Sequence, residues 1–378
     1  MNMSQLLAAT LAQVPMPGHD PLGYPVPAIL LQILSYFTLG LHFIAVNFTL
    51  GSLMYLIWTK VRKRNDGADT FLSASLPLGF SYLVTLGIPP LLFVQVLYGQ
   101  MFYSSSVIIG AFWILVVPLL ILAYGMLYLN KLKKEATPNV QLAVLGVALL
   151  AMLSVGFIYV NNLTLSMTPD SWLDKYAANP GGSQLNHEEP TLFARYILFM
   201  SPALVVAGVA LVLAGLYRSR WRGDDSGNAI SSLGMKGHLI GRVVTLAAAG
   251  ALVASLPKNV FDTAMAGPGK LFLIIGIALA VLATGLTVLS ALKKAAIFGV
   301  IGAVLLVLEV IMLAVTRDFV RQAYLQPHFN FTDVPVFEQW GMVGIFVTSM
   351  ALGLALLIVL TVKVSRTAIT RYKESHAG

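Results

Sequence analysis

Residues 36–60, YFTLGLHFIAVNFTLGSLMYLIWTK, contain one histidine, His42, and residues 27–58 carry no Asp, Glu, Lys or Arg. About 20 apolar residues suffice to cross a bilayer, so His42 is expected near mid-membrane. An imidazole there is desolvated and needs either a polar neighbour or a metal. A single strong ligand on a helix facing a bundle interior is one way in which haem iron is held. Two readings of His42 follow, haem ligation and helix packing through a hydroxyl, and the residues alone leave both open. The second candidate for chemistry is Glu309 in LLVLEVIML. It stands alone as a carboxylate inside an expected span, where it should face the bundle interior and act either as a proton relay or as a structural hydrogen-bonding group. Met101, Met167 and Met200 are potential thioether ligands near the outer face, with gap filling as the commoner use of methionine. His187 and His328 show no HxxxH or HxxE spacing and read as surface histidines, and His238 reads as interfacial.

These residues are carried by a chain that composition places in a membrane. Of its 378 residues, 57% are hydrophobic and 11% charged, and the mean hydropathy is +0.81. A soluble domain has a charged fraction near ~25%. The absence of cysteine excludes disulfides, iron–sulfur clusters, thiolate ligation and CxxCH haem attachment. Walker A, GxGxxG, nucleophile-elbow and zinc signatures are missing as well. The net charge of +8 is spread in short basic runs between apolar segments, which is the pattern that orients helices and not one that binds nucleic acid.

Apolar windows recur at 27–59, 72–98, 106–129, 140–166, 193–217, 239–256, 271–291, 295–316 and 341–362. They predict an all-α polytopic bundle of about nine transmembrane helices, because an open chain in lipid has no other way to satisfy its backbone. Gly87, Pro89 and Pro90 should kink the second span, and only Lys293 and Lys294 separate the seventh from the eighth. The expected organisation is an exposed N-terminal segment (1–26) with a short apolar run at 6–14, a helix bundle (27–364) and a cytoplasmic tail (365–378). With the N-terminus outside, 18 of the 24 Lys and Arg fall on the inner side, at 60–64, 131–134, 218–242, 293–294 and 363–373. That asymmetry predicts N-out and C-in. Two outer loops, 168–191 and 316–341, carry Trp172, Tyr176, Tyr324, Phe329, Phe331, Phe337 and Trp340, residues suited to the membrane surface.

GLHFIAVNFTLG around His42 resembles the first helix of cytochrome bd quinol oxidase subunit I, where the helix-one histidine ligates an active-site haem. FVQVLYGQMFYSSS (93–106) is similar to that family's outer-face segment, and ARYILFMSPALVVAG (194–208) to its fifth helix. Chain length together with RDFVRQAYLQPHF and QWG resembles the shorter bd-like branch associated with c-type cytochromes. The resemblance implies a multi-pass subunit of a respiratory electron-transfer complex in the bacterial inner (cytoplasmic) membrane. Such a subunit would pass electrons between quinol and a periplasmic c-type cytochrome, hold at most one or two b haems, and assemble with other membrane subunits. It makes His42 the expected iron ligand and adds Gln100 and Met101 as cofactor-binding candidates.

The sequence also departs from the oxidase. Where the fifth helix should carry a low-spin haem histidine, Arg195 and Tyr196 are followed by Ile197, Leu198 and Phe199. The third span has no glutamate, and no GRQPW-like element occurs. Reduction of oxygen by this chain alone is therefore not expected, although a quinol-oxidising role is. A redox-silent membrane anchor that docks partner subunits is the reading from a different functional class.

Overall fold

The computed structural model describes residues 17–63, 67–133, 136–221, 223–224 and 226–375. The apolar run at 6–14 lies outside them. The chain forms α1 (Ala28–Val61), α2 (Ala68–Leu97), a short α3 (Gly99–Ile108), α4 (Gly110–Leu132) and α5 (Pro138–Leu165). After an outer connection holding α6 (Trp172–Ala178) come α7 (Leu192–Met200), α8 (Pro202–Trp221) and α9 (Ser226–Ser255). They are followed by the short α10 (Lys258–Ala266), then α11 (Pro268–Lys293), α12 (Ala296–Leu325) and α13 (Trp340–Ser375). Eight helical segments among the described residues are long and apolar enough to cross a membrane, α7 and α8 together forming one of them. The ninth expected span is the start of α13, whose apolar part among the described residues is the shorter Trp340–Leu356. This is the all-α polytopic bundle that the hydropathy pattern predicts.

α1 sits at the centre, packed against α2, α8, α5 and α12. Small residues set these approaches. A Cβ on Gly40 would meet Ile311 Cγ1 of α12 at 2.5 Å, and one on Gly51 would meet Ala207 Cβ of α8 at 2.7 Å. The antiparallel pair α8 and α9 repeats the device at heptad spacing. Gly208 faces Gly234 and Gly215 faces Gly227, so that a Cβ on Gly208 would come within 2.7 Å of the Gly234 carbonyl. Such backbone contact compensates for the weak hydrophobic drive between helices in lipid. The reverse side of the bundle is apolar and open, with Ile114 73% and Leu246 68% exposed, as lipid-facing positions require.

Two expectations change. Residues 1–26 are not wholly exposed, because Tyr24 and Val26 are buried. Tyr24 N donates to Pro335 O (2.8 Å), and Phe337 N donates to Tyr24 O (2.9 Å), clasping this segment to the connection after α12. The 316–341 loop is shorter than expected, since α12 continues to Leu325. Arg317, Asp318 and Arg321, which the expected loop bounds include, therefore lie on α12 and line the interior cavity described below. The boundary at 364 falls within α13. α2, for its part, runs on through Pro77, Pro89 and Pro90 as one helix.

The outer connections are folded onto each other. Trp172 Nε1 donates to Leu165 O (2.7 Å), and Lys175 pairs with Glu188 at 3.0 Å, which holds that carboxyl below its usual range. His328 Nε2 meets Asp170 Oδ2 at 3.1 Å and so ties the two connections together. They therefore share one end of the bundle with Tyr24. Cysteines at Ser183 and Asn330 are expected to react with an impermeant maleimide in intact cells and one at Ser226 not to; labelling of Ser226 alone would reverse the orientation.

Candidate functional site

A cavity of about 370 Å³ opens between α1, α2, α3, α4, α5, α7 and α12, within the range of small-molecule and cofactor sites. On α1 its lining runs from Ser35 to Leu50, about 22 Å at helical rise. Most of the wall is apolar. Its chemistry is concentrated at His42 and at the end formed by Tyr36, Tyr98, Arg317, Asp318 and Arg321.

His42 Nδ1 lies 3.0 Å from the Leu83 carbonyl of α2. A carbonyl can only accept, so Nδ1 carries the proton and Nε2 is left with a free lone pair. Donation of the other ring N–H to a backbone carbonyl is the usual support of a metal-bound histidine. Gly87, one turn further along α2, makes room for the ring, because a Cβ there would stand 2.9 Å from His42 Cε1 and 3.1 Å from Nδ1. His238 shows the opposite case. It is fully buried, with Nδ1 3.1 Å from Val205 O and Nε2 3.3 Å from Thr284 Oγ1, so both nitrogens are occupied. The expectation of an interfacial His238 is thus corrected, and its role is to join α9 to α8 and α11. His328 is engaged by Asp170, and His187 is exposed.

At the other end, Asp318 accepts from Tyr36 (2.8 Å), Tyr98 (2.8 Å) and Gln322 (2.9 Å), with Arg321 Nη1 3.7 Å away. Arg321 also lies over the Tyr98 ring at 4.4 Å, and Arg317 over Phe199 at 5.8 Å. The Nε atoms of both arginines are buried without a hydrogen bond. No residue pattern flagged this cluster, because in sequence the three charges read as part of a loop.

Of the thioether candidates only Met200 lines the cavity, joined by Met152. Met101 is buried in an apolar cluster with Tyr98 and Ile108, and neither it nor Gln100 reaches the cavity wall. Met167 is buried away from it. Glu309 is buried as expected but does not stand alone. Arg242 of α9 meets it in a two-pronged ion pair, Nη1 to Oε1 and Nη2 to Oε2, the latter at 2.7 Å. Arg242 was counted among the inner-loop bases, whereas it lies in the bundle. With Arg242, Arg195, Arg317 and Arg321 set aside as interior residues, the charge asymmetry becomes 17 inner to 3 outer and grows sharper. Among the described residues no group of three or more His, Cys, Asp or Glu side chains could hold a metal ion. A metal at His42 would therefore have to arrive inside a prosthetic group.

The residues around His42 fit a b-type haem in that respect: one ring nitrogen is free, the other is anchored, a glycine lies against the ring, and the cavity walls are apolar. No protein-family model matches the sequence, and no curated protein matches it. Among solved structures, the bd oxidase from Geobacillus thermodenitrificans is similar, with a TM-score of 0.65 and 13% identity over 94% of this chain and 100% of that chain. The membrane bundle built around α1 thus has a bd oxidase-like fold.

Proposed function

We propose that this chain is a membrane subunit of a respiratory electron-transfer complex in the bacterial inner membrane. In this reading His42 holds a b-type haem, and electrons pass between membrane quinol and a c-type cytochrome at the outer face. The observation that carries it is the state of His42, the histidine on the cavity wall, with Nδ1 fixed by Leu83 and Nε2 unengaged. When bound, the haem supplies one-electron exchange. The chain's part is to orient the imidazole through Leu83, to leave space at Gly87, and to exclude water with Phe43, Val46 and Leu50. Met200 is the thioether available on the same wall. The outer connections, folded together at the end where Tyr24 is clasped, are the docking face for the cytochrome, and the apolar outer helices receive lipid and other membrane subunits.

A redox-silent anchor is the second reading. The absence of a histidine at Ile197–Phe199 favours it, since the chain lacks one haem ligand that the resemblance calls for. Anaerobic addition of a short-chain quinol to the purified protein separates the two. A reduced b-type band should develop. A band raised by dithionite but never by quinol would remove quinol as the donor.

A further inference from the structure

The end of the cavity remote from Leu50 holds Arg317, which has no hydrogen-bond acceptor among the described residues, beside Arg321, whose ion pair with Asp318 is long at 3.7 Å. Among the described residues Arg317 makes no ion pair and donates no hydrogen bond, and its guanidinium lies over the Phe199 ring at 5.8 Å. Arg321 is 6% exposed, donates no hydrogen bond, and approaches Asp318 only to 3.7 Å. Asp318 cannot serve both, because its two oxygens already accept from Tyr36, Tyr98 and Gln322. Two guanidinium charges and one engaged carboxylate leave this end of the cavity with a net charge of +1. Burying an unpaired guanidinium is costly, and the cost is removed when an anion completes its hydrogen bonds.

We infer that Arg317, assisted by Arg321, binds a carboxylate of an amphipathic ligand whose apolar body fills the cavity. Arginine presents a planar fork matched to a carboxylate, and the apolar walls between this end and His42 suit a flat or elongated hydrocarbon body. Tyr36 and Tyr98 keep Asp318 occupied and so prevent it from collapsing onto the arginines. Two sources share this chemistry: the side-chain carboxylates of a porphyrin held at His42, in which case the inference rests on the proposed haem, and a free long-chain acid.

Three probes added to the purified full-length protein in detergent separate them: iron protoporphyrin IX, its dimethyl ester, and palmitate. If the porphyrin is the source, the diacid should bind roughly tenfold to a hundredfold tighter than the diester, as expected for charge-assisted hydrogen bonds. Arg317→Gln should remove that preference and Arg317→Lys should keep part of it. If the free acid is the source, palmitate should bind and Arg317→Gln should abolish its binding, with the diacid and diester bound equally. Wild-type protein that distinguishes no acid from its ester and binds no palmitate, or an Arg317→Gln variant that binds all three as wild type does, overturns the inference. Ligand-free Arg317→Gln should melt at or above the wild-type temperature, because it removes an unpaired buried charge; a lower midpoint would make Arg317 structural and also overturn it. His42→Ala keeps the two proposals apart. Porphyrin binding lost in His42→Ala but untouched in Arg317→Gln leaves the haem and ends the carboxylate subsite, and the reverse pattern does the opposite.

Discussion

His42→Ala should abolish the b-type absorption of the purified chain while leaving the protein folded in the membrane. The substitution removes the one cavity-lining imidazole, and the space it vacates borders a cavity that already exists, so the added void costs less than in a filled core. Gly87→Ala is the companion test. Its methyl group would stand 2.9 Å from His42 Cε1, so the ring must turn away from Leu83 or α2 must shift. Haem occupancy should fall severalfold in Gly87→Ala, with the helical circular dichroism unchanged. An unchanged haem-to-protein ratio in both variants would return His42 to a packing role.

The second large effect belongs to Arg242 and Glu309. Each is the other's partner inside the bundle, joining α9 to α12. Arg242→Ala strands a buried carboxylate and should cost about 3–5 kcal/mol, seen as a lower melting temperature or a loss of assembled protein. Glu309→Gln leaves a neutral acceptor facing the guanidinium and should cost less. Replacing both at once, Arg242→Met with Glu309→Leu, should recover most of the loss, since it removes the desolvation penalty together with the attraction. If quinol turnover in the Glu309→Gln variant equals wild type at every pH while the complex stays intact, a relay role for Glu309 fails and the pair is structural. Single and double variants of equal stability would contradict the pairing itself.

The spans, the central segment and the candidate histidine could be read from the sequence because lipid imposes one rule, an unbroken apolar run, and His42 violates it conspicuously. The partners of the buried polar groups could not be read, because they come from distant segments. The carbonyl that fixes His42 belongs to Leu83, and nothing about a leucine announces such a use. Arg242 looked like a loop base because it follows Lys236 and a run of glycines and polar residues, yet it crosses to Glu309, 67 positions away. Arg317, Asp318 and Arg321 looked like a loop because three charges in five residues usually mean water. For Asp318, Tyr36 of α1 and Tyr98 at the junction of α2 and α3 supply hydrogen bonds that water would have given. Met101, a thioether candidate, and Gln100 lie on α3, where Phe102 is the residue that lines the cavity and the other two do not.

The haem content of the purified chain is the most direct test, measured as the reduced-minus-oxidised spectrum and the extracted haem per polypeptide. About one b-type haem per chain, absent from His42→Ala, is the predicted result. A featureless visible spectrum from folded wild-type protein would contradict it and leave the chain as a redox-silent anchor.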